Sequence, residues 1–391
     1  MACINRTLED VEKLVELAKL DASKLFPCTQ TLEFPAAYNP EKYLLLQLPN
    51  KLIDAVKQGD ELILRGDSDD FAVLCTDNET FEVREAETSN SLVLVPSMLT
   101  PEDMKSIGNS RELLHKEIVG VHNKYLEVRP CLPRLGKLRE LLSECPYAGP
   151  SHVPMDDDEQ RMYDMTDLLD RVQSSDDQLR SALEDLPALF IDGHWRMLEF
   201  EYFFGATSSV LGVIEEQQWP LDAVPRVQLK QQLRDVEPEP VIDLCLRYFF
   251  TNSDENDDIL AIQDEKISRL FAEVLLRPAD RFNLNEFLTI WQQSVPPGVN
   301  TSADQLEGLA LVDRNVSPPV VWLYPEHQLP EDPAMRFSQL FEVKNKWSLN
   351  EISPYIRKLA SSNCSVSSLL AKHTRAATHN GIKYYSAKHT R

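Results

Sequence analysis

The sequence predicts an α+β multidomain protein: a mainly antiparallel β domain near the N-terminus, followed by tandem winged-helix domains. Three observations lead there. Short apolar segments separated by turn residues fill the stretch from Tyr43 to Val95, the pattern of a small antiparallel sheet. Further along, a serine that starts a helix is followed 20 positions later by an aromatic residue in three places: Ser175 and Trp195, Ser302 and Trp322, Ser365 and Tyr385. Finally, 391 residues exceed what one hydrophobic core organises, so several domains are expected.

From Thr7 to Phe26, Leu8, Val11, Val15 and Ala18 recur on one helical stripe with Leu14 beside it, and acids near the start suit the helix dipole. Strand-like text then covers Tyr43 to Leu48, Glu61 to Arg65, Phe71 to Cys75, Thr80 to Arg84 and Leu92 to Val95, with turns at Gly66-Asp67 and Asp77-Asn78. More follows from Lys116 to Val128, and Pro133 to Ser143 reads as a helix that stops before Cys145-Pro146. Tyr147 to Gln160 carries Gly149 and the acidic run Asp156 to Glu159, and is expected to be the main linker.

Beyond the linker each repeat has a physical rationale. A serine N-cap and the residue three positions on (Gln178, Gln305, Ser368) satisfy orphan amides, a turn reverses the chain, and an aromatic strand closes over the helix. An apolar-periodic helix precedes each unit, at Asp167 to Val172, Asn285 to Trp291 and Glu351 to Ile356. Helix, turn, helix and hairpin make the winged-helix layout. The region Val224 to Glu273 reads as helical, with Asp254 to Asp258 an exposed acidic loop. The resulting division is 1–146 for the helix and β-rich domain, 147–160 for the acidic linker, 161–222 for the first winged helix, 223–330 for the second with a helical insertion, and 331–391 for a basic third.

Catalytic signatures are missing. None of the 12 glycines forms a phosphate-cradling loop, and there is no nucleophile elbow and no H-E-x-x-H, so no enzymatic activity and no cofactor are expected. The 7 cysteines are scattered without a C-x-x-C pair, which suggests reduced thiols rather than disulfides or zinc. Asp176/Asp177 and Asp257/Asp258 read as solvated surface, and His194, after Asp192-Gly193, as a turn residue. No apolar run approaches the roughly 18 residues that span a bilayer, and Met1 to Asp10 lacks a signal-peptide layout, so no membrane contact is expected and the chain belongs in the cytosol or nucleus.

The net charge of −23 favours protein partners, yet from Ile352 to Arg391 there is no acid at all. Lys372 and Arg375 end the helix begun at Ser365; Lys383, Tyr384, Lys388 and Arg391 follow on the hairpin after Asn380-Gly381; His373 adds a polar ring. Lysine and arginine neutralise phosphates and a tyrosine can stack on a base, so these seven residues are candidates for DNA binding without sequence preference. A solvated tail, or contact with an acidic protein surface, fits the same residues. In the β domain, Leu92, Val93, Leu94 and Val95 are continuously apolar and Phe71 to Leu74 nearly so, which implies cover on both faces. Either the helix Thr7 to Phe26 or a partner chain supplies it; Phe71, Val73, Leu92, Leu94 and Val95 are the candidate partner-binding residues.

Several stretches resemble a known family. Leu64-Arg-Gly-Asp67 with Ala72-Val-Leu-Cys75 and Thr88-Ser-Asn90, then Trp195-Arg196 with Leu198-Glu-Phe200, and most specifically Trp291-Gln-Gln-Ser-Val-Pro296 continuing through Asp304-Gln-Leu306 to Gly308 and Arg314, are similar to the Dcc-type sister-chromatid-cohesion subunits of the alternative replication factor C clamp loader. The resemblance implies a nuclear, non-catalytic subunit in a heterotrimer with a Ctf eight-type small subunit and the C-terminal tail of a Ctf eighteen-type large subunit. The N-terminal domain would form half of a β-barrel shared in that trimer. Of three winged helices, the first would help dock the DNA polymerase epsilon catalytic subunit and the last would contact DNA. The assembly would load, and in some conditions unload, the sliding clamp, with ATP hydrolysed by other subunits, and this chain would meet the replication factor C small subunits and the clamp only indirectly. The linker after Pro150 and the loop Asp254 to Asp258 do not match the family. A tandem winged-helix scaffold of the endosomal-sorting or proteasome-lid type, binding proteins only, is the alternative.

Overall fold

Thr7 opens the first helix, Leu8–Leu17, through a reciprocal cap: its hydroxyl accepts from the Asp10 amide and its own amide donates to the Asp10 carboxylate at 2.9 Å. The helix ends well short of Phe26, because Lys19 takes a left-handed φ of 52° and a 3-10 turn, Ala22–Lys24, follows. The computed structural model describes residues 6–26, 28–67, 70–104, 112–152, 161–252, 258–314, 316–360, 364–379 and 381–388. These form a mixed α+β chain in two compact units, Met1–Asp60 with Glu82–Arg129, and Glu61–Phe81 with Pro130–Arg391. The division falls inside the strand Thr80–Leu94.

In the first unit Cys28–Glu33 pairs with Glu112–Glu117, and Leu46–Gln47 pairs with Leu126–Glu127 of the strand Gly120–Cys131. Both pairings are parallel, where a mainly antiparallel domain was expected, and no strand was expected at Cys28–Glu33; Ile63–Arg65 with Val73–Cys75, from the same expected domain, is antiparallel. The parallel partners come from far along the chain rather than across a tight turn, and parallel pairing requires such a long connection. The segments Thr80 to Arg84 and Leu92 to Val95, expected apart, belong to one strand of 15 residues that stops at Leu94, since no Gly or Pro interrupts Glu85 to Ser91. A helix at Asn50–Gln58, ended by Gly59 at φ 89°, was not foreseen. Among the described apolar residues of this unit only Val11, Cys28, Leu52, Ile118 and Val128 are buried alongside Gly120, and none joins a larger core cluster.

The second unit begins with the antiparallel hairpin Ile63–Arg65 and Val73–Cys75. It then repeats one topology four times: helix, short strand, helix, helix, hairpin, with the short strand pairing to the last strand so that the sheet order is first, third, second. In the first copy Gly136–Glu144, Met165–Arg171 and Asp176–Asp185 lead to the hairpin Ala188–Ile191 and His194–Met197, and a single bridge from Tyr163 to Trp195 takes the place of the short strand. The second copy runs from Phe200–Glu216 through Val224–Pro225, Arg226–Leu233 and Glu239–Phe249 to Phe250–Asn252 and Ile259–Ile262. The third has Asp264–Leu276, Phe282–Asn283, Leu284–Ser294, the 3-10 turn Ala303–Leu306, then Ala310–Asp313 and Val320–Leu323. The fourth has Pro333–Val343, Trp347–Ser348, Leu349–Ile356, Val366–His373, then Thr374–His379 and Ile382–Ala387.

Ser175, Ser302 and Ser365 all cap as their spacing predicts, and Trp195, Trp322 and Tyr385 each lie on the last strand of their copy. The second copy escaped the spacing argument because its third helix starts at Pro238-Glu239 with no serine cap. Val224 to Glu273 is therefore two short helices, a hairpin and the next helix, not one helical region. Nor do the units part at 147–160: Leu138, Leu141 and Leu142 before that stretch share a core with Leu168, Leu179 and Leu183 after it. Residues 153–160 and 253–257, with most of the expected linker and acidic loop, lie outside the described residues. The second and third copies share one core, which also takes in Tyr147, Leu189 and Leu198 of the first copy; in it Phe249, Ile267, Phe287 and Trp291 are buried, and the Trp291 indole donates to the Ser268 carbonyl at 2.7 Å. The fourth copy closes around Phe337, Leu340, Trp347, Tyr355 and Tyr385.

Candidate nucleic-acid interface

What the third helix of each copy can meet depends on how much of its surface the rest of the chain leaves open. In the first copy the helix Asp176–Asp185 is already engaged. Asp176 takes the Arg65 guanidinium at 2.5 Å, the Asp177 amide donates to the Asp77 carbonyl, and Gln178 accepts from Thr80 at 2.6 Å. The second copy's helix Glu239–Phe249 buries Val241, Ile242, Leu244, Cys245, Leu246 and Phe249, and its Arg247 donates to the Ala188 carbonyl at 2.9 Å. The third is only a 3-10 turn, held by Arg269 through the carbonyls of Gln305 and Glu307. All three carry acids, among them Asp177, Asp243 and Asp304.

The fourth helix differs. Val366–His373 starts at Ser365, whose hydroxyl accepts the Ser368 amide at 3.2 Å, and it turns Leu369 and Leu370 into the core. Ser367, Ser368, Ala371 and Lys372 are left exposed, with no acid among them. Thr374 then bonds back to the Leu370 carbonyl at 2.7 Å and starts the hairpin, which turns at Gly381 with φ 79°.

The register sorts the candidate residues. Arg375 pairs with Ser386 and Ala377 with Tyr384, so Arg375 and the half-buried Tyr384 share one face of the hairpin. Lys383 lies on the opposite face, its ammonium 5.4 Å from the centre of the Tyr385 ring. Lys388 returns to the helix end, where its ammonium donates to the Lys372 backbone carbonyl at 3.1 Å. His373 faces inward: its ring stacks on Phe337 at 5.0 Å and 8°, and burial, aided by Lys372, lowers its pKa. It is a packing residue, because the stripe that buries Leu369 and Leu370 carries it toward the core. Arg391 lies outside the described residues.

The apolar candidates also divide. Phe71 is 83% exposed, whereas Val73 is fully buried in its hairpin and has no surface to offer a partner. Leu92 and Val93, which point to opposite faces of their strand, are both exposed, and Leu94 and Val95 are half-buried. The helix Leu8–Leu17, one of the two candidate covers, leaves Leu92 and Val93 exposed, and its own Leu14 and Leu17 are exposed as well. His194, expected as a turn residue, is the first residue of its strand, paired with Ile191 directly after the turn Asp192-Gly193, both at positive φ, and its Nδ1 lies 3.0 Å from the Asp192 carbonyl. Sequence reasoning missed Arg65, whose partner lies 111 positions away, and the buried pair of Arg336 with Glu326 at 2.6 Å. No local pattern announces either.

Residues 43–356 match the family model for sister chromatid cohesion protein Dcc1. The chain is 38% identical over 387 residues to sister chromatid cohesion protein DCC1 of Mus musculus, covering 98% of this chain and 97% of the relative. It is 38% identical to the Danio rerio protein of the same name over 385 residues, covering 98% of each. It is also 26% identical over 378 residues to the probable sister chromatid cohesion protein DCC1 of Dictyostelium discoideum, covering 90% of this chain and 95% of that one.

Proposed function

Because this chain belongs to the Dcc1 family of sister chromatid cohesion proteins, we propose that it supports sister chromatid cohesion as a non-catalytic nuclear subunit of an alternative replication factor C complex. In this reading the four repeats are winged helices. The first unit joins a Ctf eight-type subunit and the C-terminal tail of a Ctf eighteen-type subunit in a shared barrel. The array of repeats links the loader to the DNA polymerase epsilon catalytic subunit, the sliding clamp is handled by the assembled complex, and the last repeat adds affinity for DNA.

The match to cohesion proteins over nearly the whole chain carries the reading. The geometry supports its parts. A sheet segment with Leu92 and Val93 exposed, in a unit that buries few apolar residues, lacks the burial that stabilises a domain alone and is suited to completion by other chains. An open, acid-free helix bearing Lys372 beside Lys388 and Arg375 is suited to phosphates. Co-expression of the full chain with the two presumed trimer partners tests it: one stable three-part complex on size exclusion is expected, and a chain that elutes alone overturns it.

The net charge of −23 and the three engaged helices favour a second reading, in which the repeats bind only proteins. That scaffold retains no duplex at low salt, which separates the two.

A further inference from the structure

The stretch Trp291 to Pro296 has no part in the interfaces above, yet it ends in the wall of a cleft. The turn Pro296-Pro297-Gly298 faces the end of the helix Phe200–Glu216 and the following residues Gln218 to Asp222 across a cavity of about 470 Å³. That lies within the roughly 300–1,000 Å³ of clefts that hold ligands. Its apolar lining comes from Leu211, Ile214, Trp219 and Leu221 together with the prolines.

Both walls are fixed before anything binds. The Gln292 amide donates to the Val299 carbonyl at 3.0 Å and accepts from the Thr301 amide at 2.9 Å and hydroxyl at 2.7 Å, which pins the proline turn. Opposite, the Trp219 amide donates to the Ile214 carbonyl at 3.1 Å, and the Leu221 carbonyl accepts from Ile262 at 2.8 Å. Gly298 has φ 99°, and a Cβ there would sit 3.1 Å from Leu221, so the turn needs glycine to approach that wall.

The rim is negative. Glu215 lines the cleft in the last turn of its helix, where the backbone dipole adds negative potential. Glu215 and its neighbour Glu216 are exposed and form no ion pair among the described residues. An apolar floor beside an unpaired carboxylate repels nucleic acid and fits an apolar group that carries a cation.

We propose that this cleft receives a linear peptide segment of a partner protein, an apolar side chain of the segment entering against Ile214 and Trp219 while an adjacent lysine or arginine pairs with Glu215. The prolines and the tryptophan offer the rigid contact surface that typically anchors such peptides.

Selection of random displayed peptides of about 12 residues on the full chain tests this. Enriched sequences are expected to set an apolar residue next to Lys or Arg. Synthesised with a fluorescent label, they should lose roughly tenfold or more in affinity for Glu215→Lys, as for Trp219→Ala, with no loss for the remote Glu184→Lys. Because Glu215 is exposed, its variant should keep the wild-type melting temperature, and a peptide with its cation changed to glutamate should recover binding to it. Enrichment of acidic peptides, binding indifferent to Glu215→Lys, or no enrichment at all overturns the proposal.

Discussion

Arg65 and Asp176 meet at 2.5 Å across 111 positions of sequence, and the same guanidinium donates to the Ser174 carbonyl at 2.6 Å, so one side chain ties the Ile63–Arg65 hairpin to the third helix of the first repeat. Arg65 is almost fully buried while Asp176 keeps some solvent contact, so the two partners are not equivalent. Arg65→Ala leaves a buried carbonyl and a carboxylate without a donor and should cost about 2–3 kcal/mol; Asp176→Asn keeps an acceptor and should cost about 1 kcal/mol. Urea unfolding of the two variants checks the order.

Reversing Lys372, Arg375, Lys383 and Lys388 in the full chain should weaken binding to a DNA duplex and lower the salt dependence by about 0.9 logarithmic units per lost phosphate contact. His373→Phe should leave both unchanged, since its ring stacks on Phe337. Fluorescence anisotropy across a salt series reads both, and an unaltered slope after the reversals removes the hairpin from DNA binding.

Leu92→Asp with Val93→Asp should abolish co-elution with the presumed trimer partners while leaving the unfolding midpoint of the chain alone within about 0.5 kcal/mol, because both side chains are exposed. Val73→Asp should instead destabilise the chain by several kcal/mol, on the order of the cost of a buried, unpaired charge. Size exclusion together with denaturant titration separates the two effects.

The Glu326 carboxylate is pushed up by burial and pulled down further by Lys358 at 2.8 Å and Arg336 at 2.6 Å, and it comes to rest below the ordinary carboxylate range. A depressed folded pKa means that the stabilisation is fully present above the unfolded value of 4.5 and is lost as the pH falls through the folded one. Glu326→Gln should therefore cost about 2 kcal/mol near neutrality, with the gap to wild type closing in acid. Denaturant midpoints from pH 7 downward follow it.

What the sequence could reveal depended on how local the cause was. Ser175, Ser302 and Ser365 cap helices through residues three positions on, so the caps were legible, as was the turn at Asp192-Gly193. The second repeat was hidden because proline replaces serine at its cap, and the parallel pairing of Cys28–Glu33 because nothing near it names a partner as distant as Glu112–Glu117. At the candidate interface the cations were visible as composition, but Val73 and His373 were misplaced. Whether an apolar or aromatic side chain faces in or out depends on packing partners such as Phe337, which belong to another element.

Only Gln263 separates the last strand of the second repeat from the first helix of the third, and a single core runs through both. The pair is therefore one cooperative folding block: amide exchange in Glu239–Phe249 and Leu284–Ser294 should follow a common opening free energy. A cut between the two copies would open that core to water, so dissection of the array has to keep them together.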